Sequence, residues 1–264
     1  MEQHKENPWI VFIKKNPEAE IRLFCFAYAG AGPSIFRPWS NLLLPQVEAC
    51  AIQLPGRENR LREKPYSKLE PLVKEITAAI MEYVDKPYAL FGHSLGALLS
   101  FEVARHLRRE KVQKPKYLFV SGKAAVCLPN KLPLIYNLPE REFIEGLKRY
   151  NGIPDVILQE SELMRLFLPI LRADMTVNET YHYLPEPLLE CPIMAFGGIK
   201  DNTVSCNEVQ DWYQLTSSRF DSHFFPGGHF FLNESKKELL QFINKELLEI
   251  CGTKRSRRAQ SGLL

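Results

Sequence analysis

The chain is expected to fold as an α/β protein with a mostly parallel, doubly wound central sheet, and three observations lead there. Apolar, β-branched and aromatic runs end repeatedly at Gly, Pro or a polar cluster; the segments between them space their apolar residues at three and four; and the two kinds of segment alternate as βαβα. Strands buried on both faces read as near-continuous apolar runs, and helical crossovers between them make neighbouring strands parallel.

The elements follow in order. Residues 21–28 (Ile-Arg-Leu-Phe-Cys-Phe-Ala-Tyr) form a buried strand, a short helix runs through Trp39 to Leu44, and residues 47–54 form the next strand, stopped by Pro55-Gly56. Leu69, Leu72, Val73, Ile76, Ala79, Ile80 and Val84 give one apolar face to a helix from about Tyr66 to Val84, which Pro87 closes. A strand from Tyr88, a helix over residues 96–108 and a strand over residues 116–121 continue the pattern. Over residues 123–190 the strand pattern disappears, leaving helical stretches near residues 140–150 and 160–181. This is too long for a plain connection. Because ligands of open α/β sheets bind outside the carboxyl ends of the strands, an insertion there is expected to be a helical lid over the site. Strands resume over residues 191–198 and 220–225, before an amphipathic helix from about Asn233 to Ile250. The expected organisation is one domain over residues 1–251, with the lid at about 123–190 and a disordered basic tail at 252–264.

Composition narrows the partners. Of the 264 residues 45% are hydrophobic and 25% charged, as in soluble globular proteins. The formal net charge of +3 comes from the last thirteen residues, where Lys254, Arg255, Arg257 and Arg258 stand without an acid; removing those four from the 34 basic residues leaves the 31 acidic ones in slight excess. A near-neutral body argues against nucleic acid or an anionic membrane as the main partner, since both require clustered Lys and Arg. The six cysteines are widely spaced with no C-x-x-C, which reads as reduced thiols and a cytoplasmic protein. No signal peptide and no run of about eighteen apolar residues is present.

The chemistry starts at Gly92-His93-Ser94-Leu95-Gly96, which fits G-x-S-x-G between an expected strand and an expected helix. That context marks Ser94 as a nucleophile raised above the sheet on a sharp turn, with the glycines allowing close backbone approach and the Leu95 N–H placed to donate to an oxyanion. A serine needs a base, and the base an orienting carboxylate. Of six histidines, His4 is terminal, His93 lies in the turn itself pointing away from Ser94, His106 is in the next helix, and His182 and His223 fall on the insertion and a strand. His229, in the Gly-rich loop Pro226-Gly-Gly-His-Phe-Phe, completes the chain order Ser…Asp…His. The acid should end a strand between them, which favours Asp201 over Asp211, on a helix, and Asp221, at a strand. The second oxyanion donor should come from the small-residue loop Ala27 to Gly32, with Ala29 chosen and Tyr28 next to it.

These residues together resemble a known family. Phe26-Ala-Tyr-Ala-Gly-Ala-Gly, Leu54-Pro-Gly-Arg-Glu, Phe91-Gly-His-Ser-Leu-Gly, Arg172-Ala-Asp-Met with Glu179-Thr-Tyr, Phe196-Gly-Gly-Ile-Lys-Asp and Pro226-Gly-Gly-His-Phe-Phe look like the type II thioesterases of the α/β-hydrolase superfamily, over about residues 22–250. Such stand-alone enzymes serve nonribosomal peptide and polyketide synthetases and, in animals, fatty acid synthase. The resemblance implies Ser94, Asp201 and His229 as the triad and a substrate acyl group carried on the phosphopantetheine arm of an acyl or peptidyl carrier protein. It implies no metal or cofactor and a monomeric enzyme. Tyr28, Arg172 and Phe230 are the expected substrate contacts, with Arg172 in the lid shaping an acyl channel, and Leu163, Leu166, Phe167, Leu168, Ile170 and Leu171 giving the lid an apolar stripe. Leu95 stands where the family often has Met, which leaves its backbone donor unaffected. Removal of aberrant acyl groups and release of product are both open, as are the alternatives of medium-chain fatty acyl release and of a carboxylic ester hydrolase or lipase using the same triad.

Overall fold

The computed structural model describes residues 7–150 and 161–261, so His4 and residue 160 of the expected lid helix lie outside it. Seven strands form one sheet: β1 (Ile10–Lys14), β2 (Ile21–Phe26), β3 (Val47–Ile52), β4 (Tyr88–His93), β5 (Leu118–Ser121), β6 (Ile193–Gly198) and β7 (Phe220–Phe225), in the order β1-β3-β2-β4-β5-β6-β7. Every pair is parallel except β1 with β3. β1 has no counterpart among the expected strands: its apolar run Ile10-Val-Phe-Ile is short and stands before the alternation of strands and helices begins, and it joins the sheet as a mostly half-buried antiparallel edge strand.

The crossover helices are α1 (Leu69–Met81) and α2 (Leu95–Arg109). Alternation along the strands divides the core. Phe24, Leu90, Leu118 and Ile193 pack with Leu72, Ile76, Leu98 and Leu107 of α1 and α2. Leu23, Phe91, Phe119 and Met194 pack on the other face with Phe36 and Trp39 and with Leu239, Leu240, Ile243 and Leu247. The short helix expected at 39–44 stands earlier, as a 3-10 helix over Pro33–Trp39, where prolines at 33 and 38 start the turn and remove a helical N–H.

Between β5 and β6 the chain forms α3 (Glu140–Lys148) and α4 (Ser161–Glu179). These carry a small core of their own, with Ile135, Phe143, Leu147, Met164, Leu168, Leu171 and Met175. After β6 come α5 (Cys206–Gln210), a 3-10 turn, β7, the short α6 (Phe231–Glu234) and α7 (Lys236–Ser261). α7 carries the backbone on into the stretch expected to be a disordered tail. Between Thr253 and Ser261 there is no Gly or Pro, Lys, Arg, Ala and Gln are good helix formers, and basic residues suit a helix C-terminus. Among the described residues no helix is long and apolar enough to cross a membrane.

One buried charge cluster ties the first half of the sheet. Arg22 on β2 donates to Glu48 of β3 (2.7 Å), to Asp85 (2.6 Å) and to the Tyr83 carbonyl, with the Arg22 and Glu48 side chains 6% and 3% exposed. Removing one partner strands the other's charge. Arg22→Met is therefore expected to lower unfolding stability by about 3–5 kcal/mol in urea titrations, and the Arg22→Met/Glu48→Met double variant to lose less.

Candidate active site

Ser94 sits between the end of β4 and the start of α2 with φ +55° and ψ −115°, a conformation that L-residues adopt only when their surroundings enforce it. The enforcement is steric. A Cβ on Gly92 would lie 2.0 Å from the Gly96 carbonyl oxygen, and one on Gly96 would lie 2.1 Å from the Phe26 carbonyl oxygen, so the helix can reach the sheet only across two glycines. The Ser94 N–H donates to the Ser121 carbonyl on β5 at 2.8 Å, which anchors the turn to the neighbouring strand.

His229 arrives from the loop after β7. Its Nε2 stands 3.0 Å from Ser94 Oγ and its Nδ1 2.7 Å from Asp201 Oδ2. Asp201 follows β6, and its other oxygen accepts from the Thr203 N–H (2.8 Å), the Thr203 hydroxyl (2.7 Å) and the Val204 N–H (3.2 Å). Burial pushes the Asp201 carboxyl up, but hydrogen bonds from His229 and Thr203 outweigh it and hold the group below the usual carboxylate range. It is thus a fixed anion facing Nδ1, which leaves Nε2 as the acceptor toward Ser94. The three residues expected from sequence meet at one rim of the sheet.

The remaining histidines do other work. His93 is fully buried, with Nδ1 2.9 Å from the Ser121 hydroxyl. Burial, reinforced by nearby His229, pushes its pKa well down and keeps it neutral. Its ring packs beside those of His229 and Phe230, a floor under the base. His223 stacks on Phe242 with ring centroids 3.8 Å apart.

Both expected oxyanion donors line the same chamber as Ser94 and His229. Leu95 is the first residue of α2, where an N–H has no intrahelical acceptor, and neither its amide nor that of Ala29 donates to a group among the described residues. Of the expected substrate contacts, Tyr28 and Phe230 wall the chamber with ring centroids 4.8 Å apart. Arg172 does not: its Nη1 donates to the carbonyls of Tyr136 (2.7 Å) and Leu138 (2.8 Å), and its guanidinium lies 4.2 Å from the Phe143 ring centroid. A guanidinium's fixed fork is satisfied there by the lid's own backbone, so Arg172 holds the lid together and, among the described residues, is not part of the lining of the chamber or of its two extensions. Glu179 acts likewise, accepting from the Ile135 and Tyr136 amides at 2.8 and 2.9 Å.

The lid supplies Leu171 of the expected apolar stripe, together with chamber residues that the sequence pattern did not single out: Leu147, Tyr150, Met175 and Asn178. The Tyr150 ring centroid is 5.7 Å from that of His229, and burial pushes its hydroxyl up to about 12. Two extensions leave this chamber. One is walled by Ile35, Leu61, Leu166, Phe167 and Ile170. The other is more polar, runs past Ser94, His229 and Thr203, and contains Lys123, whose Nζ donates to Asn178 at 2.7 Å and whose amine burial pushes down to about 8.

Two substitutions check this geometry. Asp201→Asn removes the charge that fixes the imidazole tautomer and is expected to lower kcat by about 10²–10⁴-fold with little change in KM. Gly96→Ala forces a Cβ into a backbone oxygen and is expected to abolish soluble, cooperatively folding protein, read by circular dichroism and thermal melting.

Comparisons with known proteins identify the family. A family model described as a thioesterase domain matches residues 21–247. Gramicidin S biosynthesis protein GrsT of Aneurinibacillus migulanus is 43% identical over 241 residues, 91% of this chain and 94% of that protein. Thioesterase PikA5 of Streptomyces venezuelae is 37% identical, with 96% of this chain and 90% of that protein covered. Among solved structures, RedJ, a thioesterase from the prodiginine pathway of Streptomyces coelicolor, superposes with a TM-score of 0.80 at 39% identity over 86% of each chain. A triad on an α/β-hydrolase sheet and a family match over most of the chain thus converge, and the protein belongs to the thioesterase domain family.

Proposed function

We propose that the protein is a serine thioesterase that hydrolyses acyl groups from the phosphopantetheine arm of acyl or peptidyl carrier proteins in a nonribosomal peptide or polyketide pathway, removing aberrant acyl groups. The observation that carries the chemistry is the continuous Asp201–His229–Ser94 chain at 2.7 and 3.0 Å, opening on a chamber with two unengaged amides. The pathway class rests on the relatives, GrsT being a gramicidin S biosynthesis protein and RedJ coming from a prodiginine pathway.

In the first half-reaction Ser94 Oγ attacks the thioester carbonyl as His229 Nε2 takes its proton, and the Leu95 and Ala29 amides receive the developing oxyanion. The tetrahedral intermediate collapses by breaking the C–S bond. His229 returns the proton to the departing sulfur, leaving an acyl ester on Ser94. Water then attacks this ester with His229 as base, and the carboxylic acid and free Ser94 are released. Asp201 stays ionised throughout and stabilises the imidazolium. Each proton has a protein group to hold it, so the reading calls for no metal or cofactor.

The two extensions give the substrate a direction. The leaving sulfur must lie at His229 Nε2, so the thiol arm belongs in the polar extension, where Lys123 and Asn178 can meet the arm's amides. The acyl chain then runs along the apolar walls of Leu166, Phe167 and Ile170. All triad groups and both amides come from one chain, which supports action as a monomer. Thiols at Cys25, Cys50, Cys127, Cys191 and Cys206 are in keeping with a cytoplasmic setting.

The test is a substrate panel. Carrier-bound and pantetheine thioesters are expected to exceed p-nitrophenyl esters in kcat/KM; the reverse preference would assign the triad to an oxygen-ester hydrolase instead. Ser94→Ala is expected to lower turnover at least about 10⁴-fold. Lys123→Met is expected to weaken kcat/KM for pantetheine thioesters about tenfold and leave a plain alkyl thioester of the same acyl group unchanged.

A further inference from the structure

A buried ion pair on neither side of the triad reaches the oxyanion loop. Asp174, on the inner side of α4, accepts the Gly30 N–H on Oδ2 at 2.7 Å. The same carboxylate takes a bidentate fork from Arg57, Nη1 to Oδ2 at 2.7 Å and Nη2 to Oδ1 at 2.9 Å. The two side chains are 4% and 3% exposed, and Arg57 is itself held by the Pro55 and Ala31 carbonyls, each at 3.4 Å. Residues 117 positions apart therefore meet on a loop that belongs to neither.

What they grip is a turn. The Ala31 N–H donates to the Tyr28 carbonyl at 3.0 Å, and Gly30 at φ +79° has the third-position conformation of a type II turn. The Tyr28 carbonyl shares its peptide plane with the Ala29 N–H, so the bond that closes the turn also sets the direction of the oxyanion donor. Types I and II differ by a flip of the central peptide, here Ala29–Gly30, and that peptide's N–H is the one Asp174 holds. Leu171, one turn before Asp174 on α4, closes over Gly30 so tightly that a Cβ there would lie 2.6 Å from its Cδ2.

We propose that Asp174 and Arg57 are positioning residues for the oxyanion hole: they lock the Tyr28–Ala31 turn to the lid helix and so hold the Ala29 amide toward the Ser94 adduct. Their charges matter as well as their shape. A bare carboxylate one residue from the hole would oppose the oxyanion, and Arg57 cancels it. The proposal deepens the serine-hydrolase reading, and its test uses compounds that need only Ser94 chemistry, so it stands or falls apart from the carrier-protein assignment.

The experiment compares wild type, Asp174→Asn, Arg57→Lys, Arg57→Met and Arg57→Met/Asp174→Asn with a p-nitrophenyl ester. A trifluoromethyl ketone reports hemiketal oxyanion binding, and a non-hydrolysable thioether reports ground-state binding. Asp174→Asn is expected to lower kcat about 10–10²-fold with KM within about threefold, since an ångström-scale misplacement costs that much. Trifluoromethyl ketone affinity should fall in the same ratio while thioether affinity is unchanged. Arg57→Met should lose more than Asp174→Asn, and adding Asp174→Asn to it should restore part of kcat, because the uncompensated charge is gone. Where a variant does not fold, judged by its melting temperature, Arg57→Lys keeps the charge but breaks the fork and is read in the same way. Unchanged kcat in folded variants, or equal weakening of ketone and thioether, would overturn the proposal and leave the pair as lid packing only.

Discussion

Helix α2 can meet the sheet only where two successive backbone crossings have no side chain between them, and the active site hangs on that contact. With Gly92 and Gly96 in place, the chain turns from β4 into α2 within a single residue, and that residue must accept φ +55°. Ser94 accepts it because α2 and the β2–β4–β5 parallel core leave no alternative path. The consequence is functional. The hydroxyl is lifted above the strand ends, and the first amide of α2 is left without a helical acceptor next to it.

Everything else at the site is brought to this point by strand order. Parallel pairing places the carboxyl ends of β4, β5 and β6 side by side, so the residues that follow each strand share one rim. Ser94 follows β4, Asp201 follows β6, and His229 comes from the loop leaving β7. The loop after β2 brings Ala29, and the lid between β5 and β6 closes the chamber with Tyr150, Leu171 and Met175. The lid adds a second layer of order, since Arg172 and Glu179 bind its backbone and Asp174 binds the loop below. The lid and the loop after β2 are therefore tied together through α4.

Much of this could be read before any coordinates. The alternating pattern, the strand-to-helix context of G-x-S-x-G and the chain order of Ser94, Asp201 and His229 are local signals, and local signals survive in sequence. The edge strand β1 escaped because its short apolar run stands outside the βαβ alternation, as an antiparallel strand added at the sheet edge. Arg172 was expected at the substrate because a cation in a lid motif has no visible partner in sequence; its partners are backbone carbonyls of a segment more than thirty residues away. The Arg57–Asp174 pair escaped for the same reason, its members lying in two separate motifs that only the fold brings together. The basic stretch after Gly252 read as disordered from its polarity, while its helix propensity continues α7.

The central claim is that Ser94 forms a covalent acyl intermediate with a thioester substrate. Rapid mixing with an excess of acyl-pantetheine thioester, quenching in acid and locating the adduct by peptide mass spectrometry tests it most directly. The account predicts a burst of free thiol matched by an acyl mass increment on the peptide containing Ser94, absent in Ser94→Ala. Thiol release with no adduct on that peptide, or an adduct on another residue, would contradict it.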